Sequence, residues 1–309
     1  MSHVAGNSAS HVSIARADFG RVSVLFGAKN GKYPDGNQVL IRGSDTRAAF
    51  DTPLVSNHIG AEFDATELVV MGHVHEDHMA GLHRIPRAAV HVHEADLPAI
   101  RSWEGMFAAY GTGAKDPGAL RAMLERDFFY APRPDAQGYV NGACWELGQS
   151  RIRAFHLPGH TAGHCVLLVE PEGVAFTGDI DLTGFGPYYG DTCSSLRDFR
   201  HSLARLPDIP AKVWVTSHHR GVYTDREHFL RDLAAFAARI DEREQRLLAW
   251  LKESPKTLEQ LVEQRLLYPP GYENPWVVSA ETRTISQHLA ELVADGRVKV
   301  GEEGVCRLA

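Results

Sequence analysis

Val69-Val70-Met71-Gly72-His73-Val74-His75-Glu76-Asp77-His78 is apolar at its start and crowded with metal-capable side chains at its end. Leu68 to Met71 reads as a buried strand. The tail reads as a loop leaving the strand's C-terminal end, where α/β proteins place their sites. His73 and His75 stand at i and i+2, so an extended backbone points them the same way, whereas the adjacent Asp77 and His78 diverge. That geometry suits two metal ions side by side. Imidazole and carboxylate are the ligand set of Zn²⁺, with Fe and Mn as alternatives. A loop rich in histidine by chance is the weaker reading of such a pattern directly after an apolar strand.

The 309 residues suffice for one large domain or two unequal ones, and 44% hydrophobic with 23% charged content implies a packed core. A formal net charge of −7 argues against a bulk-electrostatic nucleic-acid binder. Cys144, Cys165, Cys193 and Cys306 are scattered, with no C-x-x-C pair, as buried thiols in a reducing compartment would be. Residues 1–11 look loosely attached, and the start lacks a basic and an apolar signal region. With no apolar run of spanning length, a cytoplasmic protein without membrane contact is expected.

Strand patterns appear at Val12–Arg16, Arg21–Phe26, Gln38–Arg42 and Ala48–Pro53. Asp51 either reaches the metal loop or caps a turn before Thr52-Pro53. A helix is expected to begin at His78 and run through Met79–Leu82. Ala88–Glu94 is the next strand; its His91 and His93 repeat H-x-H, but no Asp-His follows, so a polar face or substrate contact is favoured over a second metal site. Over 97–140 the rhythm turns helical. Trp103, Met106, Phe107 and Tyr110, then Leu120, Met123, Leu124, Phe128 and Phe129, predict two helices around a joint containing Gly111 and Gly113. This insert is read as a lid, with Trp103, Phe107 and Tyr110, joined by Tyr188, as substrate contacts. Strands resume at Trp145–Gly148, Ile152–His156, Val166–Val169, Val174–Thr177 and Val213–Thr216. The segments after them carry Gly159-His160-Thr161, Gly178-Asp179 and Ser217-His218-His219. A long helix is expected over Arg226–Lys252. Then follow a helix over Thr257–Leu267 opened by a Thr257/Gln260 capping box, a helix over Ser279–Ala294, and a hairpin of Arg297–Val300 with Val305–Leu308. Two helices and a small hairpin suggest a winged-helix module. The expected division is a catalytic unit over 1–225 containing the 97–140 insert, a connecting helix over 226–252, and a winged-helix-like unit over 253–309.

With His73-x-His75-x-Asp77-His78, Gly159-His160-Thr161, Thr177-Gly178-Asp179 and a late strand-end histidine in place, the chain resembles the metallo-β-lactamase superfamily over about residues 20 to 225. Pro158 to His164 is similar to the hydroxyacylglutathione hydrolase (glyoxalase II) branch, and the tail to a branch of thioesterases and a mitochondrial endoribonuclease. The resemblance implies an α/β fold, an αββα four-layer sandwich, with a dinuclear site at one sheet edge. It implies that His73, His75 and His160 hold the first metal, that Asp77, His78 and a late histidine hold the second, and that Asp179 bridges both. His218 fits the late position best, with His219 as the alternative, where relatives usually show Pro-Gly-His-Gly. Gly72 stands where relatives usually carry Thr. His164 is expected to buttress the loop, and His58, His83 and His156 to be surface or supporting residues.

The resemblance further implies a hydrolase in which a hydroxide shared by two Zn²⁺ ions (Fe or Mn as alternatives) attacks the thioester or ester of a small acyl compound, with Asp77 as the catalytic proton relay. A lactonase, a mononuclear iron dioxygenase using only His73, His75, His160 and Asp179, and an endoribonuclease are the alternatives. Glu281 and Glu291 beside Arg283 and His288 make the last helix too acidic for a DNA reader. Nucleic acid is therefore not the expected partner. A tail packed over the site, or a homodimer contact, is.

Overall fold

The computed structural model describes residues 14–111, 117–272 and 274–309. The expectations for residues 1–11, for Val12-Ser13 and for the joint at Gly113 lie outside them. Among the described residues, seven strands form the first sheet: β1 Arg16–Phe19, β2 Val22–Leu25, β3 Gln38–Arg42, β4 Arg47–Phe50, β5 Leu68–Val70, β6 Ala89–His93 and β7 Gln137–Tyr139, paired in that order. Pairing is antiparallel from β1 to β4 and parallel from β4 to β7. The second sheet holds β8 Cys144–Glu146, β9 Arg151–His156, β10 Cys165–Glu170, β11 Val174–Phe176, β12 Val213–Val215 and β13 Val222–Tyr223, also in sequential order.

The period-2 alternation of side chains explains the layering. Val22, Val24, Val39, Ile41, Phe50 and Val70 from the first sheet meet Ile152, Leu167, Val169, Phe176 and Val215 from the second. Their neighbours along the strands point outward. Leu40, Val69, Val90 and Val92 pack under Phe63, Ile100, Met106, Leu124 and Phe128. Val166, Leu168 and Trp214 pack under Phe199, Leu203, Phe229 and Phe236. Apolar residues on both faces of both sheets require helices on both outer sides, and the result is an αββα sandwich.

The insert contains helices at Leu97–Arg101, Trp103–Tyr110 and Pro117–Phe128, one short helix more than the pattern suggested. The Ser102 side chain caps the second of them by accepting from Gly105 N–H. No helix starts at His78. Glu76–His78 and Leu82–Arg84 are single 3₁₀ turns. The Thr52 backbone explains this: its N–H donates to the His78 carbonyl at 2.8 Å, and its carbonyl accepts from Gly81 N–H at 2.8 Å. Backbone groups that a helix would use are thereby tied to the neighbouring chain.

Beyond the sandwich, Asp225 caps a helix over Arg226–Glu253. Leu258–Glu263 opens with the expected Thr257/Gln260 capping box, but stops early. Arg265 takes φ +60°, and the buried Glu281 carboxylate accepts from the N–H groups of Leu266, Leu267 and Tyr268. A helix over Val277–Ala294 and the antiparallel pair β14 Val298–Val300 and β15 Cys306–Leu308 complete the chain, around Leu247, Leu251, Leu261, Ile285, Leu292 and Val298. Among the described residues no helix is long and apolar enough to cross a membrane.

The last helix is docked to the sandwich through His288, whose Nε2 accepts from Tyr189 Oη at 2.8 Å. Burial, with Arg243 and Arg200 nearby, pushes the His288 imidazole down to about 3 from 6.5. The unfolded chain therefore takes up a proton near 6.5 that the folded chain refuses until near 3, so this contribution to stability is complete above 6.5 and falls as the pH drops below it. Chemical unfolding at pH 7.5 and pH 5.5 is expected to show that loss, and His288→Gln to reduce it. An equal loss in both proteins would assign it to other groups.

Candidate metal centre

Sheet pairing brings the C-terminal ends of β5, β11 and β12 to one edge of the sandwich, and the loops that follow them converge there. His73, His75, His160 and Asp179 form one cluster, whose ligand atoms all lie within 4.8 Å of one another. His75 Nδ1 faces His73 Nε2 at 3.2 Å and His160 Nε2 at 3.0 Å, and Asp179 Oδ2 is 3.2 Å from His160 Nε2. Asp77, His78 and His218 form a second such cluster. His218 Nε2 is 3.1 Å from Asp77 Oδ2, and Asp179 Oδ1 lies 3.0 Å from His78 Nε2 and 3.3 Å from His218 Nε2. Asp179 thus turns one oxygen to each cluster. His218, not His219, is the late histidine at this place; His219 takes φ +56° and its ring centroid is 6.3 Å away from that of His218.

The donor set fits divalent cations. His78 Nε2, His218 Nε2 and Asp179 Oδ1 are buried with no hydrogen-bond partner among the described residues, a costly condition that a cation relieves. The opposite ring nitrogens of four of these histidines are fixed, whereas His73 Nδ1 has no partner among the described residues. His75 Nε2–H donates to Asp191 Oδ2 at 2.9 Å, His160 Nδ1–H to the Tyr188 carbonyl at 3.0 Å, and His218 Nδ1–H to the Asp35 carbonyl at 2.8 Å. His78 Nδ1–H donates to Asp51 Oδ2 at 2.7 Å. Such outer bonds select the tautomer that aims a lone pair inward. Asp51 also forms part of a grouping with His73 and His78, but its other oxygen accepts from Gly72 N–H at 2.6 Å. Its carboxylate is occupied in support.

Burial favours neutral carboxyls, yet His78, His218, His73 and His160 hold Asp179 well below the ordinary carboxylate range. Burial likewise disfavours charged imidazoles, but Asp179 and Asp77 keep His78 and His218 well above theirs. The centre is therefore an array of charges balanced against one another, into which cations can replace protons. His164 stands behind it as a buttress: its Nδ1–H donates to the Leu157 carbonyl at 3.1 Å and its Nε2 accepts from Asp179 N–H at 3.3 Å. Gly178 at φ +56° makes room, since a Cβ there would lie 2.6 Å from His164 Nε2.

The other expected site residues divide. Tyr110 stacks on His75 with ring centroids 5.6 Å apart and donates its hydroxyl to the buried Glu76 carboxylate. Tyr188 donates to Asp191 Oδ1 at 3.0 Å and meets His160 edge-on. Trp103 and Phe107 are not among the histidines. Trp103 packs on Tyr130 at 4.6 Å with the Arg121 guanidinium over its ring, and Phe107 packs beside it at 5.7 Å. The i, i+4 spacing that marked them as one helical face points that face at the insert's own core. His93 is stacked on His156 at 3.9 Å, and His91 meets Trp145, so the second H-x-H is structural. His58 and His83 are exposed.

Glu76, Asp191 and Gln287 were missed from the sequence. Glu76 is only the spacer of the H-x-H-x-D-H motif, and Asp191 carries no motif at all. Gln287 lies on the last helix, where its Nε2–H donates to the Tyr189 carbonyl at 2.8 Å and its Oε1 accepts from Leu196 N–H at 2.6 Å. It clasps both ends of the loop that carries Asp191. Gln287→Ala is expected to loosen that loop and weaken metal at the first cluster by about 10-fold, the low end of losses from outer-shell changes. Titration of metal-depleted protein with Zn²⁺ against a chromophoric chelator checks it; unchanged affinity would show the clasp to be dispensable.

Comparison with known proteins agrees with this geometry. The profile of the Metallo-beta-lactamase superfamily matches residues 68–228. The human acyl-coenzyme A thioesterase MBLAC2 is 28% identical over 196 residues, covering 53% of this chain and 69% of that protein. A hydroxyacylglutathione hydrolase of Maricaulis maris is 31% identical over 33% of this chain and 36% of its own length. The crystal structure of a metallo-beta-lactamase family protein from Thermus thermophilus superposes with a TM-score of 0.68 at 25% identity, covering 89% of this chain and 94% of that one.

Proposed function

The chain belongs to the metallo-beta-lactamase superfamily and is a metallo-hydrolase, and from that premise we propose that it cleaves the thioester or ester of a small acyl compound at a centre of two divalent cations. The observation that carries this reading is Asp179, whose two oxygens face two separate imidazole clusters. His73, His75 and His160 would hold one cation, Asp77, His78 and His218 the other, and Asp179 both. Zn²⁺ suits these donors best, with Fe or Mn as alternatives. Bound there, such a pair would lower the pKa of water toward about 7 and would polarise a carbonyl oxygen.

The chain's own residues do the rest. Asp77, 4% exposed, is placed to orient the nucleophile and pass its proton toward the leaving group. The Tyr110 ring stacks on His75 and the Tyr188 ring meets His160 edge-on, which puts both beside the first cluster as candidate substrate contacts. A thioester is favoured because the human relative is an acyl-coenzyme A thioesterase. The four cysteines are free thiols, which suits a reducing, cytoplasmic setting. We read residues 253–309 as a winged-helix-like unit serving the catalytic unit, since His288 and Gln287 of its long helix bond to Tyr189 and Leu196 of the sandwich.

Metal analysis of protein purified without chelator, with hydrolysis of acyl-CoA, acyl-glutathione, lactone and β-lactam compounds by wild type and Asp77→Ala, tests the proposal. Near two metals per chain and a thioester cleaved only by wild type are expected. Lactone turnover alone would make it a lactonase. One iron per chain without hydrolysis would overturn the proposal in favour of an oxygen-dependent enzyme.

A further inference from the structure

Asp96 stands directly before the helix Leu97–Arg101, where an aspartate ordinarily caps by accepting from the first N–H groups. Its side chain makes no such bond. It is 4% exposed and turned to the metal loops instead. Oδ2 accepts from Val74 N–H at 3.2 Å and from Thr161 Oγ1–H at 2.7 Å, and Oδ1 accepts from Gly163 N–H at 2.8 Å. A buried carboxylate is costly unless donors of this kind meet it. The backbone of Asp96 is held as well: its N–H donates to the His93 carbonyl at 2.9 Å, and its carbonyl accepts from Ala99 N–H at 3.0 Å. Gly163 is fitted to the carboxylate, since a Cβ there would lie 2.5 Å from Asp96 Cγ.

The three donors have one thing in common. Val74 lies between His73 and His75, Thr161 follows His160, and Gly163 precedes His164, the buttress of the centre. They belong to two loops from different sheets, one following β5 and one between β9 and β10. Cys165 N–H, donating to the Gly72 carbonyl at 2.7 Å, joins these loops where they meet the strands. Asp96 joins them a second time, beside the ligands, where His75 Nδ1 and His160 Nε2 stand 3.0 Å apart. The second cluster is supported from elsewhere. His78 leans on Asp51 and His218 on the Asp35 carbonyl, and no bond of the Asp96 carboxylate reaches a residue adjacent to Asp77, His78 or His218.

We propose that Asp96 is the positioning residue of the first metal site: by tying together the loops that carry His73, His75 and His160, it sets the affinity of that site and leaves the second untouched. The inference rests on the two-cation reading for the sites themselves, so its test measures metal binding, not turnover. Two parent proteins isolate the sites, His218→Ala keeping the first cluster whole and His75→Ala the second. Each is depleted of metal and titrated with Zn²⁺ against a chromophoric chelator. In the His218→Ala parent, Asp96→Asn is expected to weaken Zn²⁺ by about 10-fold, because an amide has one acceptor and cannot serve Gly163 N–H and the Val74–Thr161 pair together. In the His75→Ala parent it should change nothing. The visible absorption of Co²⁺ in the first site, which follows ligand geometry, is expected to change with it. Thr161→Val removes one of the three bonds at nearly constant shape and should give a smaller loss, again at the first site only. Thermal unfolding reports whether each variant is folded. Equal losses in both parents, or a folded Asp96→Asn or Thr161→Val with wild-type affinity at the first site, would overturn the proposal. A wild-type protein that takes up a single Zn²⁺ would overturn the two-cation reading instead, and the inference would then stand or fall on whether Asp96→Asn weakens that one ion.

Discussion

Asp179→Asn is expected to lower kcat/KM by about 10³-fold or more, the upper scale for losing electrostatic stabilisation of a developing oxyanion, and to release metal from the centre. The amide keeps the shape of the side chain but can offer only one oxygen. That oxygen cannot serve both His160 Nε2 at 3.2 Å and the His78–His218 pair at 3.0 and 3.3 Å. Its NH₂ would also confront imidazole nitrogens or the cation they hold. The charge that balances the surrounding histidines disappears as well. Metal per chain by mass spectrometry, alongside steady-state kinetics on the best thioester, reads both effects. Two retained metals with near-wild-type turnover would show that Asp179 is not shared.

Asp51→Ala is expected to weaken metal binding or activity by about 10–100-fold, although Asp51 is not one of the proposed ligands. Its carboxylate, 1% exposed, holds Gly72 N–H at 2.6 Å and His78 Nδ1–H at 2.7 Å. It therefore fixes both the start of the metal loop and the orientation of a histidine in it. Removing it strands two buried donors, at about 1–3 kcal/mol each. Asp51 also takes φ +49°, which Asp tolerates better than Ala. Asp51→Asn separates the effects: its oxygen can still accept from Gly72, while its NH₂ opposes His78 Nδ1–H. Loss of metal affinity in Asp51→Asn with little change in Tm would isolate the orienting role. Wild-type affinity in both variants would reduce Asp51 to a turn residue.

Both variants show where reading along the chain stops. His73, His75, Asp77 and His78 could be recognised because they follow an apolar strand and because their chemistry is unusual at that density. His160, Asp179 and His218 shared the signature of a metal-capable side chain just past a strand. The four-layer arrangement was implied by the resemblance these motifs carry, and in the structure apolar residues on both faces of the strands are covered on both sides. Each of these signals is local: a period of two, a strand end, or a residue type.

Other features have no local signal. Asp51 before Thr52-Pro53 looks the same whether it caps a turn or supports His78, and only the parallel pairing of β4 with β5 brings the two together. Asp191 and Gln287 are 96 positions apart, as 287 minus 191, yet both act on one loop, because the last helix folds back onto the sandwich. Trp103 and Phe107 advertised a helical face without saying what it would meet, and it meets the insert's own core. The strands, the donor types and their places just past strand ends were legible along the chain, because hydrophobic periodicity and side-chain chemistry are properties of single segments, while the layers and the sheet edge came through the resemblance those motifs carry. Contacts across the fold set which nitrogen of each histidine faces inward, which carboxylate holds His78 from outside and which turns an oxygen to each cluster, because each depends on contacts between residues that the chain keeps far apart.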